Sequence, residues 1–233
     1  ATVRPTLVPG TPPSPNHLVV LAGLTSHTGG QPFDLAALGY GDGTWEQYSY
    51  LGVDAEGHPV DYDHEATWGR VHAMAEALRD QLRAHAARNP GQAVDLLGHS
   101  LGGLVGMYYL LVLHDPTDPT LPPIGRVVTV ASPLSGADSA NAVDLARRTP
   151  VGRALLDLVA AQLLTPDDGG GPVMHADMAV LDDLTTGSEV VHAVRAAWLR
   201  YLDDPWSSPL ATGTDVLTIG SMLDPVVNEH RSG

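Results

Sequence analysis

The chain has 233 residues, enough for one sizeable domain with its own core, and 43% of them are hydrophobic while 17% are charged. This composition excludes a disordered chain and a bundle of membrane helices. The formal net charge of −15, from 12 basic and 27 acidic residues, repels phosphate backbones, so nucleic acid is not an expected partner. Cysteine is absent, which excludes disulfides and thiolate metal sites.

The first half of the chain alternates apolar runs with turn residues. Residues 1–15 contain five prolines and predict an irregular arm, so the domain proper is expected to begin near His17. The apolar run 18–21 predicts a buried parallel strand, and residues 47–51 predict a second strand. Apolar residues at three- and four-residue spacing predict an amphipathic helix over 67–88.

The second half continues the alternation. Residues 93–97 predict a strand and residues 104–113, apolar on every face, predict a buried helix. A further buried strand is predicted at 126–131, and the last strand of the sequence is predicted at 215–220. Strands that alternate with helices indicate an α/β fold, with a mainly parallel central sheet flanked by helices.

Domain organisation follows from the same pattern. Residues 1–233 are expected to form a single domain, in which the long helical segment of about 133–214 is an inserted cap or lid. The longest strongly apolar stretch is too short to cross a bilayer, so we expect a soluble protein, cytoplasmic or secreted. Because the chain starts at Ala1 rather than Met, we interpret it as a processed secreted form or a trimmed chain.

The candidate nucleophile is Ser100, in the sequence Gly98-His99-Ser100-Leu101-Gly102. The motif follows a predicted buried strand and opens a predicted apolar helix, which is the strand-turn-helix context of a nucleophile elbow. The N–H groups of Leu101 and Leu24 are the candidate oxyanion donors, Leu24 because it lies in the loop after the first core strand. The alternative is an ordinary glycine-rich turn whose serine caps the helix.

Four segments together resemble the α/β-hydrolase superfamily, and most closely bacterial lipases and esterases similar to the GPI-inositol-deacylase group. These segments are VVLAG at 19–23, GHSLGGL at 98–104, ASPLSG at 131–136 and GSMLDPVV at 220–227. The resemblance implies the α/β-hydrolase fold and a serine hydrolase of carboxylic esters. One departure is Ala22-Gly23, where the family commonly has His-Gly.

The candidate acid is Asp224, which follows the last predicted strand and is therefore expected at the same sheet edge as Ser100. Asp138 is the alternative acid, whereas Asp95 lies inside a predicted strand and is expected to be structural. His230 is the only histidine after Asp224, and too few residues separate the two for a further strand. We therefore expect that the true base lies beyond Gly233 in a longer chain. The alternatives are that the chain doubles back to bring His230 to Ser100, or that the protein lacks the base.

Other residue clusters predict little chemistry. His27 is expected to be a solvated loop histidine, and the acidic stretch 61–65 is expected to be solvated before a helix. No metal and no cofactor are expected, since no phosphate loop, dinucleotide fingerprint or zinc spacing is present. The expected partner is a small-molecule or lipid ester, and the oligomeric state is left open.

Two further hypotheses accompany the ester hydrolase. An acyltransferase or thioesterase would use the same triad with a different acceptor or leaving group. A catalytically inactive binding protein with a hydrolase-like fold would explain a missing base, but such a protein has no need of a strained elbow.

Overall fold

A single parallel sheet organises the fold in the computed structural model, which describes residues 14–154, 156, 178–204 and 213–220. Within these residues the strand order is β2-β1-β3-β4-β5, and each neighbouring pair is parallel. The strands are β1 His17–Leu21, β2 Trp45–Gln47, β3 Val94–His99, β4 Ile124–Val130 and β5 Asp215–Ile219. The parallel α/β architecture predicted from the sequence is confirmed.

Helices flank this sheet. A 3-10 turn at His64–Trp68 precedes the first long helix, and α2 continues into a π-helical turn at Tyr109–Leu113. The helices are α1 Val71–Arg88, α2 Leu101–Tyr108, α3 Asp138–Arg147, α4 Ala179–Asp183 and α5 Glu189–Asp203. None of the helices in the described parts of the chain is long and apolar enough to cross a membrane.

The second predicted strand is the one element that was wrongly located. It was expected at 47–51, whereas β2 occupies Trp45–Gln47. Tyr48 and Tyr50 are buried by other contacts: their rings pack edge to face at 4.8 Å, and the Tyr48 hydroxyl donates to the Met74 carbonyl at 2.6 Å. The apolar pattern after Gln47 therefore reflects an aromatic cluster rather than strand pairing.

Helix α2 lies at the centre of the core. Every residue from Leu101 to Tyr108 is buried, because the helix packs against β1, β3 and β4 on one side and against α1 and α5 on the other. A helix without a polar face is stable only in such surroundings. The residue that precedes α2, Ser100, is consequently positioned by the best-packed element of the molecule.

The described part of the segment 133–214 contributes helices α3, α4 and α5. Helix α5 packs against α2 and the turn that follows it, while α4 packs against the 3-10 turn before α1. Of the apolar stripe expected at 155–164, only Leu156 lies within the described residues. The role of this segment as a cap over the site stays a prediction.

Asp183 at the end of α4 connects this segment to the start of α1. One of its carboxylate oxygens accepts the Val71 N–H at 2.8 Å, and the other accepts Arg70 Nη1 at 2.9 Å. The Val71 N–H begins a helix and therefore has no intrahelical acceptor. Asp183 thus caps a helix from a distance of more than one hundred residues along the chain.

Replacement of Asp183 with Ala is expected to lower the free energy of unfolding by about 2 kcal/mol, because it removes a helix cap and a charge-assisted hydrogen bond. The matched control is Asp182→Ala. Asp182 also pairs with Arg70, but its side chain is 46% exposed, so a loss under about 1 kcal/mol is expected. Urea denaturation measures both values, and equal losses would contradict the capping role.

Buried His114 predicts a dependence of stability on pH. Its ring Nδ1 lies 2.9 Å from the Tyr109 hydroxyl, and burial lowers the pKa of His114 below its ordinary value of 6.5 although Asp115 and Asp118 act in the opposite direction. The unfolded chain then binds more protons than the folded chain once the pH falls below about 6.5. The free energy of unfolding should therefore decrease on acidification, by at most about 1.4 kcal/mol per pH unit for this group.

The test is urea denaturation of the wild type and of His114→Gln at about pH 7.5 and about pH 5. The variant cannot gain a proton at this position, so its loss of stability between the two pH values should be smaller. An identical loss in both proteins would show that His114 does not contribute.

Candidate active site

Ser100 occupies a strained turn between β3 and α2. Its backbone has φ 52° and ψ −124°, a conformation that L residues with a side chain rarely adopt. The Ser100 N–H donates to the Val130 carbonyl at 2.9 Å, and its carbonyl accepts the Gly103 N–H at 3.0 Å. The half-buried serine is therefore held at the carboxyl end of β3 by β4 on one side and by the first turn of α2 on the other.

Two glycines make this turn possible. A Cβ atom on Gly98 would overlap the backbone of Gly103, and a Cβ atom on Gly102 would overlap the carbonyl oxygens of Leu21 and Ala22. Backbone atoms cannot move aside as the end of a side chain can, so these positions exclude any larger residue. The helix consequently approaches β1 and β3 closely enough for its N-terminus to point at the space beside Ser100.

The predicted oxyanion donors lie on two elements beside Ser100, a helix and a loop. Leu101 is the first residue of α2, and Leu24 follows β1, the neighbour of β3 in the sheet. Within the described residues neither N–H donates a hydrogen bond to a protein acceptor. The N–H of Leu101, at a helix N-terminus, favours negative charge beside it.

The loop that carries Leu24 is held by side chains from other elements. The Tyr50 hydroxyl donates to the Ala22 carbonyl at 2.6 Å, and the Thr25 N–H donates to Thr67 Oγ1 at 3.0 Å. Burial raises the pKa of Tyr50 well above its ordinary value, so its hydroxyl keeps its proton and stays a donor. Tyr50 and Thr67 were not anticipated from the sequence, because neither residue belongs to a recognisable motif.

Backbone strain is concentrated at this edge of the sheet. Among the described residues other than glycine, positive φ occurs at Thr25, Ser100 and Ala131, with values of 65°, 52° and 49°. The three residues follow β1, β3 and β4, which are neighbours in the sheet. Because such conformations persist only where the surrounding structure enforces them, their clustering marks this edge as the candidate site.

The structure does not place the other predicted site residues beside Ser100. Asp224 and His230 lie outside the described residues, so the structure does not test them. Asp138 is exposed at the first position of α3, where its charge favours the helix dipole. His27 is exposed, as expected, and its Nδ1 lies 2.8 Å from the Thr28 carbonyl oxygen.

Two other residues singled out in the sequence have structural contacts. Asp95 is buried in β3 and accepts a hydrogen bond from Asn16 Nδ2 at 2.8 Å, in agreement with the predicted structural role. In the acidic stretch, Asp63 caps the 3-10 turn by accepting the Glu65 N–H at 3.1 Å.

A parallel sheet with a strained serine between a strand and a buried helix is the framework of an α/β hydrolase. The model of the alpha/beta hydrolase family matches residues 7–232. This chain therefore belongs to the alpha/beta hydrolase family. A comparison with curated proteins gives no significant match.

Solved structures share the fold at low sequence identity. Phospholipase PlaB from Legionella pneumophila superposes with a TM-score of 0.53 and 19% identity, over 87% of this chain and 38% of the phospholipase. Bacillus licheniformis lipase BlEst2 in its mature form gives a TM-score of 0.50 and 17% identity, over 90% of this chain and 67% of the lipase. This chain thus spans less than half the length of the phospholipase.

The geometry of the turn at Ser100 predicts opposite effects on stability when two glycines of α2 are replaced with alanine. Gly102→Ala places a methyl group against the Leu21 and Ala22 carbonyls and should lower the free energy of unfolding by about 2 kcal/mol or more. Gly106→Ala places its methyl group 3.8 Å from Leu21 Cδ2, an ordinary contact, and should be neutral or stabilising by up to about 1 kcal/mol. Urea denaturation compares the two variants, and equal effects would contradict the close approach at Gly102.

Proposed function

We propose that this protein is a serine hydrolase that cleaves carboxylic esters through an acyl-enzyme on Ser100. The observation that carries the proposal is the strained backbone of Ser100, flanked by glycines that no other residue can replace. A serine that only caps a helix has ordinary extended backbone angles and its side chain accepts a hydrogen bond from the first turn. Ser100 has neither property.

In the first step, Ser100 Oγ attacks the ester carbonyl carbon, and the carbonyl oxygen becomes an oxyanion. The N–H groups of Leu101 and Leu24 have no acceptor among the described residues, which supports a role as donors to the oxyanion. The hydrogen bonds that Tyr50 donates to Ala22 and that Thr67 accepts from Thr25 support preorganisation, because they hold the Leu24 loop before substrate binds.

The proton of Ser100 passes to a histidine base, which then donates it to the leaving alcohol as the ester C–O bond breaks. Asp224 is the proposed acid that orients this histidine, and His230 is the candidate base in this sequence. Water gives a proton to the same histidine and attacks the acyl carbonyl carbon. The bond to Ser100 Oγ then breaks, the carboxylic acid leaves and the histidine returns the proton to Oγ.

The proposed substrate class is a lipophilic ester. Two of the proteins that share the fold are named as a phospholipase and a lipase. The long, partly helical segment between β4 and β5 is also compatible with a cap that shelters an apolar acyl chain.

A fluorophosphonate probe tests for an activated serine. The wild type should be labelled and should hydrolyse p-nitrophenyl esters, whereas Ser100→Ala should lose labelling and at least about 10⁴-fold in kcat/KM. Ser139→Ala is the control, because Ser139 is exposed on α3 and its loss should change neither result. His230→Ala should also lose labelling if His230 is the base.

Two outcomes would contradict parts of this proposal. An unlabelled wild type that is folded by circular dichroism would refute the activated serine and favour a binding role for the fold. Labelling that survives His230→Ala but not Ser100→Ala would retain the nucleophile and refute His230 as the base.

A further inference from the structure

A second polar cluster lies at the opposite end of β1 from the candidate active site. His17 is the first residue of β1, Glu46 lies in the adjacent β2, and His85 is in the last turn of α1. His17 Nε2 lies 4.0 Å from Glu46 Oε2, and the two imidazole rings stack with their centroids 4.4 Å apart. One potential ligand atom from each residue lies within 4.8 Å of the other two.

The two histidines carry nitrogens that lack partners. His17 is 8% exposed and His85 is 1% exposed, and in both rings Nε2 is buried without a hydrogen-bond partner among the described residues. An unsatisfied buried nitrogen destabilises a fold, so two of them side by side require an explanation. One ligand bound by the Nε2 atoms of both rings would satisfy both nitrogens.

We propose that His17, Glu46 and His85 form a zinc site, with both Nε2 atoms and one carboxylate oxygen as ligands. Two imidazoles with one carboxylate form an established zinc ligand set, which leaves a fourth position for water. Ligands around a tetrahedral zinc ion lie roughly 3.4 Å apart, given metal–ligand bonds of about 2.0 to 2.1 Å. The 4.0 Å between His17 Nε2 and Glu46 Oε2 therefore has to shorten by about 0.6 Å, and the stacked imidazoles have to rotate so that both in-plane lone pairs point at one ion.

A buried side chain orients the carboxylate of the proposed site. Fully buried Gln81 holds the carboxylate, because its Nε2 donates to Glu46 Oε1 at 3.0 Å while its Oε1 accepts the Ser49 N–H. Such second contacts orient metal ligands in proteins.

Arg88, a neighbour of Glu46, opposes zinc binding. Arg88 Nη2 lies 3.4 Å from Glu46 Oε2, so the guanidinium competes for the same carboxylate and its charge repels a cation. The proposal therefore makes opposite predictions for the two members of this ion pair. Loss of Glu46 should abolish zinc binding, whereas loss of Arg88 should strengthen it.

Three protein ligands and a water are typical of catalytic zinc sites. We nevertheless assign the ion a structural role, because the site lies at the other end of β1 from Ser100. The five residues of β1 span about 16 Å, and the loop with Leu24 follows the far end of the strand. The ion would join β1, β2 and α1, three elements that are distant in sequence. Zinc should consequently raise the melting temperature of the folded chain without taking part in the reaction at Ser100.

The experiment measures binding of zinc alone to the full chain after dialysis against a chelator. Calorimetry and metal analysis should give one zinc ion bound at this site per chain, and zinc at 100 times its Kd should raise Tm by roughly 5 to 10 °C. Cobalt substitution should give the visible absorption of a four-coordinate site, a signal that an ion pair between Glu46 and Arg88 cannot produce.

Four variants separate this site from incidental zinc binding by other histidines. Glu46→Gln, which keeps an acceptor for Gln81, and His85→Gln should each weaken zinc binding by more than about 100-fold. Arg88→Gln should strengthen binding, and His192→Gln, on the outer part of α5, should leave it unchanged. The proposal is overturned if the wild type stays free of zinc, or if Glu46→Gln and His85→Gln retain the wild-type affinity; a bridging water would then account for the two nitrogens.

Discussion

The strained turn at Ser100 is the constraint on which the rest of the structure depends. A non-glycine residue at positive φ costs about 1 to 3 kcal/mol, and three such residues stand at the ends of neighbouring strands. That cost must be offset by packing nearby, and α2 provides it because all eight of its residues are buried. The helix begins at the turn itself, so the element that stabilises the core also determines the backbone angles of the serine.

The parallel order of the sheet explains why the loops around Ser100 meet. The carboxyl ends of β1, β3 and β4 lie at one edge, which places Leu24 and Ala131 on either side of the serine. Proximity alone would leave the Leu24 loop free to move. Tyr50 donates a hydrogen bond to the Ala22 carbonyl and Thr67 accepts one from the Thr25 N–H, so the loop that contains Leu24 is held on both sides. The packing of Tyr48 against Tyr50, in the segment after β2, therefore supports the geometry of the candidate site.

The sequence predicted the sheet, the elbow and most element positions because these features depend on local signals. A continuous apolar run predicted β3, and Gly98 and Gly102 predicted the close approach that the backbone geometry displays. The same reasoning placed the second strand too late, since Tyr48 and Tyr50 owe their burial to aromatic contacts between distant segments. The acid and the base stay predictions, because Asp224 and His230 fall outside the described residues.

The cluster at the amino end of β1 shows where local reasoning fails. His17, Glu46 and His85 have none of the short spacings that identify zinc ligands in a sequence, and only the pairing of β1 with β2 and the return of α1 bring them together. Both ends of β1 thus carry polar groups that have no hydrogen-bond partner in the described part of the chain, for different physical reasons. The free N–H groups beside Ser100 are consistent with a site that must bind a transient negative charge. The orphaned imidazole nitrogens are fully enclosed, so they suit a permanent ligand that holds the sheet to α1.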